Sequence, residues 1–277
     1  MPADSPAPWT LKCEAYGIPF RLNPKELPPG LYHDLDTPPL GKGNDDFRGG
    51  YVKERESDKV NTDILLCMIQ IVRYHSTPVG PYDELLIIPG YYGVPGGKYK
   101  GRKQLRATRF YVSQRETTYN GRKNWNIPKQ LARFEFSAPP ASETNKVPKE
   151  LQVKVFPYGS DSKTPPFFSC TLSPLQILPG LPATTKLLPK KPYLVQPPVG
   201  QGKGKGEDPL LYETDRWCGI PITSSSRRMR LMKVKIDEPP EEERKNGTHW
   251  PVVKTWSFGL WLEDVTLEFP VAEEFRL

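Results

Sequence analysis

Two side chains in this sequence, Lys129 and Glu84, have the types and surroundings needed to do chemistry together. Lys129 follows Pro128, whose fixed φ and missing N–H favour an extended backbone at Ile127. We therefore expect the lysine to lie on a stiff segment. A lysine is a nucleophile when its amine is neutral, and burial among apolar neighbours is one way to lower its pKa. Local sequence alone favours a solvated lysine, because most lysines beside a strand are exposed.

Glu84 lies between a turn signal and an apolar run. Gly80-Pro81 breaks the chain before it, and Leu85–Ile88 is the uninterrupted apolar stretch that is typical of a strand buried on both faces. A carboxylate at the start of such a strand either caps the strand in solvent or lines a pocket. The residues around Glu84 leave both interpretations open.

The motifs around the two residues resemble those of the acetoacetate decarboxylase superfamily. Gly80-Pro-Tyr-x-Glu84 precedes Gly121-Arg-x-x-Trp-x-x-Pro-Lys129-x-Leu-Ala in the order and at nearly the spacing of that family, and the resemblance covers roughly residues 64–136. It implies that Lys129 forms a Schiff base with a keto acid and that Glu84 lines the pocket. Four further residues in or beside the motifs are expected to bind the substrate: Tyr82, Arg122, Trp125 and Gln130.

The chain departs from the family pattern in ways that affect the mechanism. Classical members carry a second lysine directly after the Schiff-base lysine, where this chain has Gln130. The stretch Cys67–Val72 lacks the further acid that the family places near the first motif, and no single arginine aligns with the one that binds the substrate carboxylate. We therefore expect burial to keep Lys129 neutral, and Gln130 to hydrogen-bond the imine or the substrate without adding charge.

Length and composition favour a mainly β protein. The 277 residues include 33 prolines and 22 glycines, which implies many short elements and long connections. Stretches such as Leu151–Phe156 and Met229–Ile236 largely alternate polar with apolar residues, as strands with one wet face do. We expect one domain over residues 1–277 that mixes β-barrel and β-sandwich features, as the resemblance implies. Residues 1–8 and the Gly-Lys-rich residues 200–207 are expected to be flexible.

The segment that leads to Lys129 is predicted to reverse direction. It lies between two strand-like runs, Arg109–Ser113 and Leu131–Phe136. Asn120-Gly121 readily adopts positive φ, so we expect a turn there. Only Pro24–Leu31 and Asn126–Arg133 have helix-like composition, and internal prolines argue against a helix in both.

Charge and cysteine usage argue against several classes of function. The net charge is +7, but the basic residues are dispersed and form no clustered face of the kind that binds nucleic acid. Four scattered cysteines and three isolated histidines predict neither a disulfide framework nor a metal site. No apolar run approaches the ~20 residues of a membrane span, and residues 1–10 lack the pattern of a signal peptide. We expect a cytoplasmic protein without a cofactor.

Imine catalysis on a small keto substrate is the chemistry that these residues predict. Lys129 attacks a ketone, and the resulting iminium accepts electrons when a neighbouring C–C bond breaks, as when a β-carboxylate leaves as CO₂. The first prediction is a Schiff-base lyase that decarboxylates a β-keto acid or a related ketone-bearing metabolite. One alternative is an aldolase–dehydratase or cyclase acting on a larger, polyketide-like ketone of secondary metabolism. Another is a non-catalytic binding protein with the same cavity, and homo-oligomerisation also stays open.

Overall fold

The computed structural model describes residues 2–22, 28–32, 67–144, 146–177, 179–188, 191–200, 210–237 and 250–277. Most of these residues lie in strands, so the prediction of a mainly β fold is confirmed. In the part of the chain described, no helix is long and apolar enough to cross a membrane. The strands are β1 (Trp9–Arg21), β2 (Met68–Ser76), β3 (Tyr82–Ile88), β4 (Gly90–Gly93), β5 (Lys103–Arg106), β6 (Arg109–Val112), β7 (Lys129–Phe136), β8 (Leu151–Pro157), β9 (Phe168–Pro174), β10 (Leu181–Thr184), β11 (Tyr193–Gln196), β12 (Trp217–Pro221), β13 (Thr223–Ile236), β14 (Lys254–Thr255), β15 (Phe258–Phe269) and β16 (Glu273–Phe275), and the helices are α1 (Arg115–Trp125) and α2 (Ala141–Thr144).

Nine strands pair in an order that returns to its starting point. The pairings run β13-β15-β1-β2-β3-β6-β7-β8-β9, and β9 pairs with β13 to close the series. We call this arrangement the closed sheet. Its neighbours are antiparallel except β6 and β7, which are parallel and are connected through α1. A parallel pair needs such a crossover connection, and α1 supplies it.

The inner face of the closed sheet is filled by side chains. Alternate residues of a strand point to the same side, so each of the nine strands can send apolar residues inward. These residues form one buried cluster, which accounts for the packing of this interior without a ligand. One member from each strand, in the order of pairing from β15, is Trp261, Ile18, Ile71, Leu85, Tyr111, Ala132, Val153, Leu172 and Met232.

A second sheet packs against the outer face of the closed sheet. Its strand order is β16-β12-β11-β5-β4. Leu194 of β11 and Ile220 of β12 belong to a buried cluster with Leu86 of β3 and Val265 of β15, and Trp125 of α1 joins the same cluster. The outer face of β3 is therefore covered by a second layer. The candidate site lies between this layer and the outer face of the closed sheet, and not in the interior of the closed sheet.

Helix α1 lies where the sequence predicts a turn, so that prediction is wrong. Asn120 and Gly121 are inside the helix, and the chain instead turns at Asn126, whose φ of 56° is left-handed. A left-handed residue at this position is a common way to end a helix. Pro128 then prevents further helical structure, and β7 begins at Lys129. The end of α1 thus sets the position of the lysine.

The residues before β1 are held against α1, although the sequence predicts that residues 1–8 are flexible. The side chain of Asn120 accepts a hydrogen bond from the Ser5 N–H at 2.8 Å and donates one to the Ala3 carbonyl at 3.0 Å. Lys123 forms an ion pair with Asp4 at 2.7 Å. The backbone of this segment therefore has partners on the helix. Of the other segment predicted to be flexible, residues 201–207 lie outside the described residues.

Candidate active site

Glu84 and Tyr82 share the outer face of β3 because they are two residues apart on the strand. Each side chain is buried under the second layer. Tyr74 of β2 pairs directly with Tyr82 across the hairpin, and the centroids of their two rings are 4.4 Å apart. The hydroxyl of Tyr74 donates a hydrogen bond to Glu84 Oε1 at 3.1 Å. The hairpin thus places two tyrosines and a carboxylate on one buried surface.

Lys129 reaches the same surface from β7. Its residue is 4% exposed, and three acceptors surround its Nζ: Glu84 Oε2 at 2.9 Å, Thr117 Oγ1 at 2.8 Å and Tyr82 Oη at 3.3 Å. An ammonium group has three N–H donors, so each donor can have a partner. The structure therefore brings together three of the predicted site residues, Lys129, Glu84 and Tyr82.

A glycine of α1 makes room for the lysine. A Cβ added at Gly121 would lie 2.7 Å from Lys129 Cδ and 2.9 Å from Lys129 Cε, which is closer than real Cβ contacts. Glycine inside a helix is about 1 kcal/mol less favourable than alanine, so the lysine gives a physical reason for glycine here. Thr117 lies four residues earlier, on the same face of α1, and supplies the hydroxyl that Lys129 contacts.

Two opposing effects act on the pKa of Lys129. Burial lowers this pKa because the ammonium loses its hydration, whereas the Glu84 carboxylate and the Tyr82 hydroxyl raise it. The net pKa of Lys129 lies above its ordinary value. This direction differs from the prediction that burial keeps the amine neutral. A carboxylate within 2.9 Å of the nitrogen favours the ammonium form of Lys129, and this effect opposes that of burial.

A cavity of about 320 Å³ adjoins this ion pair. Tyr74 and Glu84 form part of its wall, whereas Lys129 and Thr117 do not line it, so the carboxylate lies between the ammonium and the cavity. Among the lining residues that the structure describes, Glu84 is the only one with a charged side chain. Most of the wall is apolar and includes Leu86, Ile88, Phe110, Leu194, Leu262 and Val265.

Arg122 and Trp125, which the sequence predicts to bind the substrate, hold the scaffold of the site. Arg122 is fully buried, and its guanidinium donates to the carbonyls of Lys129 at 3.4 Å and Gly200 at 2.6 Å. Trp125 Nε1 donates to the carbonyl of Pro270 at 2.8 Å. Neither side chain lines the cavity. Because their polar groups bind backbone carbonyls, these residues fix α1 and the start of β7.

Gln130 points away from Lys129, which corrects the expectation that its amide bonds the imine or the substrate. Successive residues of a strand face opposite sides. Gln130 pairs with Tyr111, whose side chain belongs to the inner core of the closed sheet. An amide on the inner face cannot reach an amine on the outer face. Gln130 Nε2 is buried and has no hydrogen-bond partner among the described residues.

Two hydroxyls of the site, those of Tyr74 and Thr117, are not among the residues predicted from the sequence. The position of Tyr74 could have been inferred from the sequence, because a hairpin around Gly80 brings it opposite Tyr82. The position of Thr117 could not, since it depends on a helix that the sequence does not predict. In the described part of the chain, no group of three or more His, Cys, Asp or Glu side chains is placed to hold a metal ion.

No protein-family model and no curated protein matches this chain, but solved structures do. An acetoacetate decarboxylase from Legionella pneumophila is 13% identical over 99% of this chain and 92% of its own, with a TM-score of 0.57. The enduracididine biosynthesis enzyme MppR is 12% identical over 98% and 90%, with a TM-score of 0.56. An acetoacetate decarboxylase-like enzyme from Sphingomonas wittichii is 9% identical over 99% and 94%, also with a TM-score of 0.56. The predicted acetoacetate decarboxylase-like fold is thereby confirmed.

Proposed function

We propose that this protein is a lysine-imine carbon–carbon lyase that acts on a ketone-bearing metabolite at the Lys129–Glu84 pair. One observation carries the proposal: a buried lysine contacts a buried carboxylate beside an apolar cavity. Desolvating two charges costs several kcal/mol per ion, and a buried charged pair in a cleft is a candidate functional site. The same fold in acetoacetate decarboxylase and in MppR supports this interpretation.

The ion pair can supply the neutral amine without burying a net charge. Transfer of one proton from Lys129 to Glu84 converts an ammonium–carboxylate pair into an amine and a carboxylic acid. The amine then attacks the ketone carbon. Protonated Glu84 returns its proton to the hydroxyl that leaves as water, and the iminium that forms faces a carboxylate again. Glu84 thus acts as base and acid in turn, which requires the short contact that the structure shows.

The iminium accepts the electron pair of the C–C bond that breaks next. In decarboxylation, the first prediction, the departing group is CO₂. In a retro-aldol step, a carbonyl compound leaves after its hydroxyl has lost a proton. Either route leaves an enamine, which is protonated at carbon and then hydrolysed to regenerate Lys129.

The cavity favours the second candidate, a larger and uncharged ketone. A substrate carboxylate would meet no cationic side chain among the described lining residues, and it would face the charge of Glu84. An unpaired buried charge of this kind costs several kcal/mol. MppR was crystallised with the condensation product of pyruvate and imidazole 4-carboxaldehyde, which supports C–C bond chemistry other than decarboxylation on this fold.

Borohydride trapping tests the proposal. The protein is incubated with candidate ketones and reduced, and its mass and labelled peptide are measured. We expect a ketone-dependent mass increase at Lys129 that Lys129→Arg abolishes, because arginine forms no comparable imine. Lys154→Arg, at an exposed lysine of β8, is the matched control and should label like the wild type. Glu84→Gln should lower the rate of imine formation more than it lowers ligand affinity.

A matched ligand pair separates the remaining alternatives. A medium-chain β-keto acid and the methyl ketone that its decarboxylation yields differ in one carboxylate. Release of CO₂ from the acid would establish decarboxylation, whereas trapping of the neutral ketone alone would favour the aldol type of reaction. A ligand that raises the melting temperature but is never trapped at Lys129 would show a binding protein and contradict the proposal.

A further inference from the structure

Tyr74 connects the cavity to the ion pair. Its side chain is buried, forms part of the cavity wall and donates through its hydroxyl to Glu84 Oε1 at 3.1 Å. The other carboxylate oxygen of Glu84 binds Lys129 at 2.9 Å. The order from the cavity is therefore phenol, carboxylate, ammonium. A ligand that enters from the cavity meets the first two of these groups before it reaches the third.

We propose that Tyr74 is the acid–base group through which a bound carbonyl compound converts Lys129 from ammonium to amine. This inference rests on the proposed function, because it concerns how the same site forms its imine. The argument depends on geometry: a phenol has one proton and can donate it to one acceptor at a time. If the Tyr74 hydroxyl donates to the carbonyl oxygen of a ligand, Glu84 therefore loses the hydrogen bond from Tyr74.

The switch follows from what Glu84 loses. A hydrogen bond to a carboxylate favours its charged form, so removing that bond increases its affinity for a proton. The nearest proton is on Lys129, which transfers it to Glu84 Oε2 and becomes a free amine. At the same time Tyr74 polarises the ligand carbonyl and makes its carbon more electrophilic. Ligand binding thus prepares the nucleophile and the electrophile together.

The proton balance closes within these groups. The Lys129 nitrogen bonds to the carbonyl carbon while the C=O π bond breaks, and Tyr74 supplies a proton to the oxygen. The nitrogen returns a proton to the Tyr74 phenolate, which gives a neutral carbinolamine. Glu84 then donates the proton that it took from Lys129, the C–O bond breaks and water leaves. The products are an iminium, the Glu84 carboxylate and the Tyr74 phenol, with no external proton consumed.

The surroundings keep Tyr74 in its donating form. Burial, Glu84, Tyr82 of β3 and Cys13 of β1 all raise the pKa of Tyr74 well above its ordinary value. Burial also raises the pKa of Tyr82, to about 12, and that of the Cys13 thiol. At neutral pH both tyrosines and the thiol are therefore uncharged, which leaves Glu84 and the Lys129 ammonium as the charges of this cluster.

Tyr74→Phe tests the inference, because it removes the hydroxyl and keeps the ring that packs on Tyr82. Trace labelling with acetic anhydride reports the free amine of Lys129 without a ketone. We expect this labelling to increase about 5-fold in the variant, because Glu84 holds the Lys129 proton more readily once it lacks the hydrogen bond. Imine trapping with a ketone should instead fall at least 10-fold. The opposite directions distinguish a switch from general damage, which would lower trapping without a matching gain in labelling.

Tyr193→Phe is the matched control. The Tyr193 hydroxyl donates to another glutamate, Glu273, at 2.9 Å, and Tyr193 does not line the cavity, so neither rate at Lys129 should change by more than about twofold. If the wild type is trapped and Tyr74→Phe is trapped equally fast, the inference is overturned while the proposed function stands. If no ketone is trapped by the wild type, both are overturned. A labelling rate unchanged in Tyr74→Phe would also overturn the switch.

Discussion

Two buried glutamates of this protein accept a hydrogen bond from a tyrosine, and their remaining partners differ. Glu14 of β1 accepts from Tyr16 at 3.0 Å and from the backbone N–H of Ala141 at 2.6 Å. Glu84 accepts from Tyr74 at 3.1 Å and from the Lys129 ammonium at 2.9 Å. Both glutamates are almost completely buried, but of the two only Glu84 lines the cavity.

The difference shows what makes a buried carboxylate useful to chemistry. The partners of Glu14 do not readily give up a proton, and burial raises its pKa although Ala141, Tyr16 and the nearby Arg73 lower it. Glu14 therefore joins α2 to β1 and has a structural role. Lys129 has a proton that Glu84 can take, and a ligand can reach that carboxylate. The same tyrosine–glutamate contact thus supports structure in one place and supports a reaction in the proposed site.

The largest expected effect comes from removing the charged partner. Lys129→Met leaves the Glu84 carboxylate buried and unpaired, so we expect a loss of about 3–5 kcal/mol in the free energy of unfolding at neutral pH. Urea unfolding of the variant and of the wild type at pH 7.5 measures this loss.

The double variant Lys129→Met/Glu84→Gln is the control for that prediction, because it removes the stranded charge. It should recover most of the lost stability at neutral pH. A double variant as unstable as Lys129→Met at pH 7.5 would show that the two side chains do not depend on each other, and the contrast with Glu14 would then lose its basis.

Glu14→Gln should have a smaller effect, and one that depends on pH. We expect a loss of about 1–2 kcal/mol at acid pH, because an amide replaces one of two acceptor oxygens. The raised pKa of Glu14 means that the folded protein binds the proton more tightly than the unfolded chain. Wild-type stability from this group therefore falls as the pH rises above about 4.3, and the loss in the variant should shrink with it. Urea unfolding over a pH series gives the slope, and a loss that grows with pH would contradict the assignment.

A site residue could be predicted from the sequence where its neighbours along the chain form a motif, and not where its role depends on contacts with distant segments. Glu84 and Lys129 lie in spaced motifs, and the structure places their side chains 2.9 Å apart. The mainly β fold followed from composition and alternation. The ionisation of Lys129 did not follow, since it depends on a distance between two strands that no local pattern contains.

The failures have equally specific causes. Asn120-Gly121 has the composition of a turn, but the connection between the parallel strands β6 and β7 is a helical crossover, and tertiary packing overrides the local preference. Gln130 could have been placed correctly from alternation along β7, because the side chain after Lys129 must face the other side. Arg122 could not, since two of the carbonyls that it binds, those of Gly200 and Tyr212, come from distant segments.

Gly121→Ala tests whether the packing of α1 against Lys129 leaves room for a side chain at residue 121. Alanine would improve helix propensity by about 1 kcal/mol, but its Cβ would lie 2.7 Å from Lys129 Cδ, and overpacking of this kind costs about 1–3 kcal/mol. We expect a net loss of about 1 kcal/mol by urea unfolding and slower borohydride trapping. Gly93→Ala is the control, because its added Cβ would meet no atom within 4 Å. A more stable Gly121→Ala variant with unchanged trapping would show that the lysine moves freely.

Gln130→Leu should have the smallest effect of all. It tests whether the side chain of residue 130 lies on the inner face of β7, away from Lys129. Gln130 Nε2 is buried without a hydrogen-bond partner among the described residues, so leucine removes an unpaired polar group from a position beside the core. We expect a change in stability within about 0.5 kcal/mol, or a small gain. Trapping at Lys129 should be unchanged, because the replaced side chain faces away from the ion pair. A tenfold loss of trapping would mean that the amide does reach the amine. Residue 130 would then belong with Glu84 in the reacting surface, and the start of β7 would have to be twisted so that two successive side chains share one face.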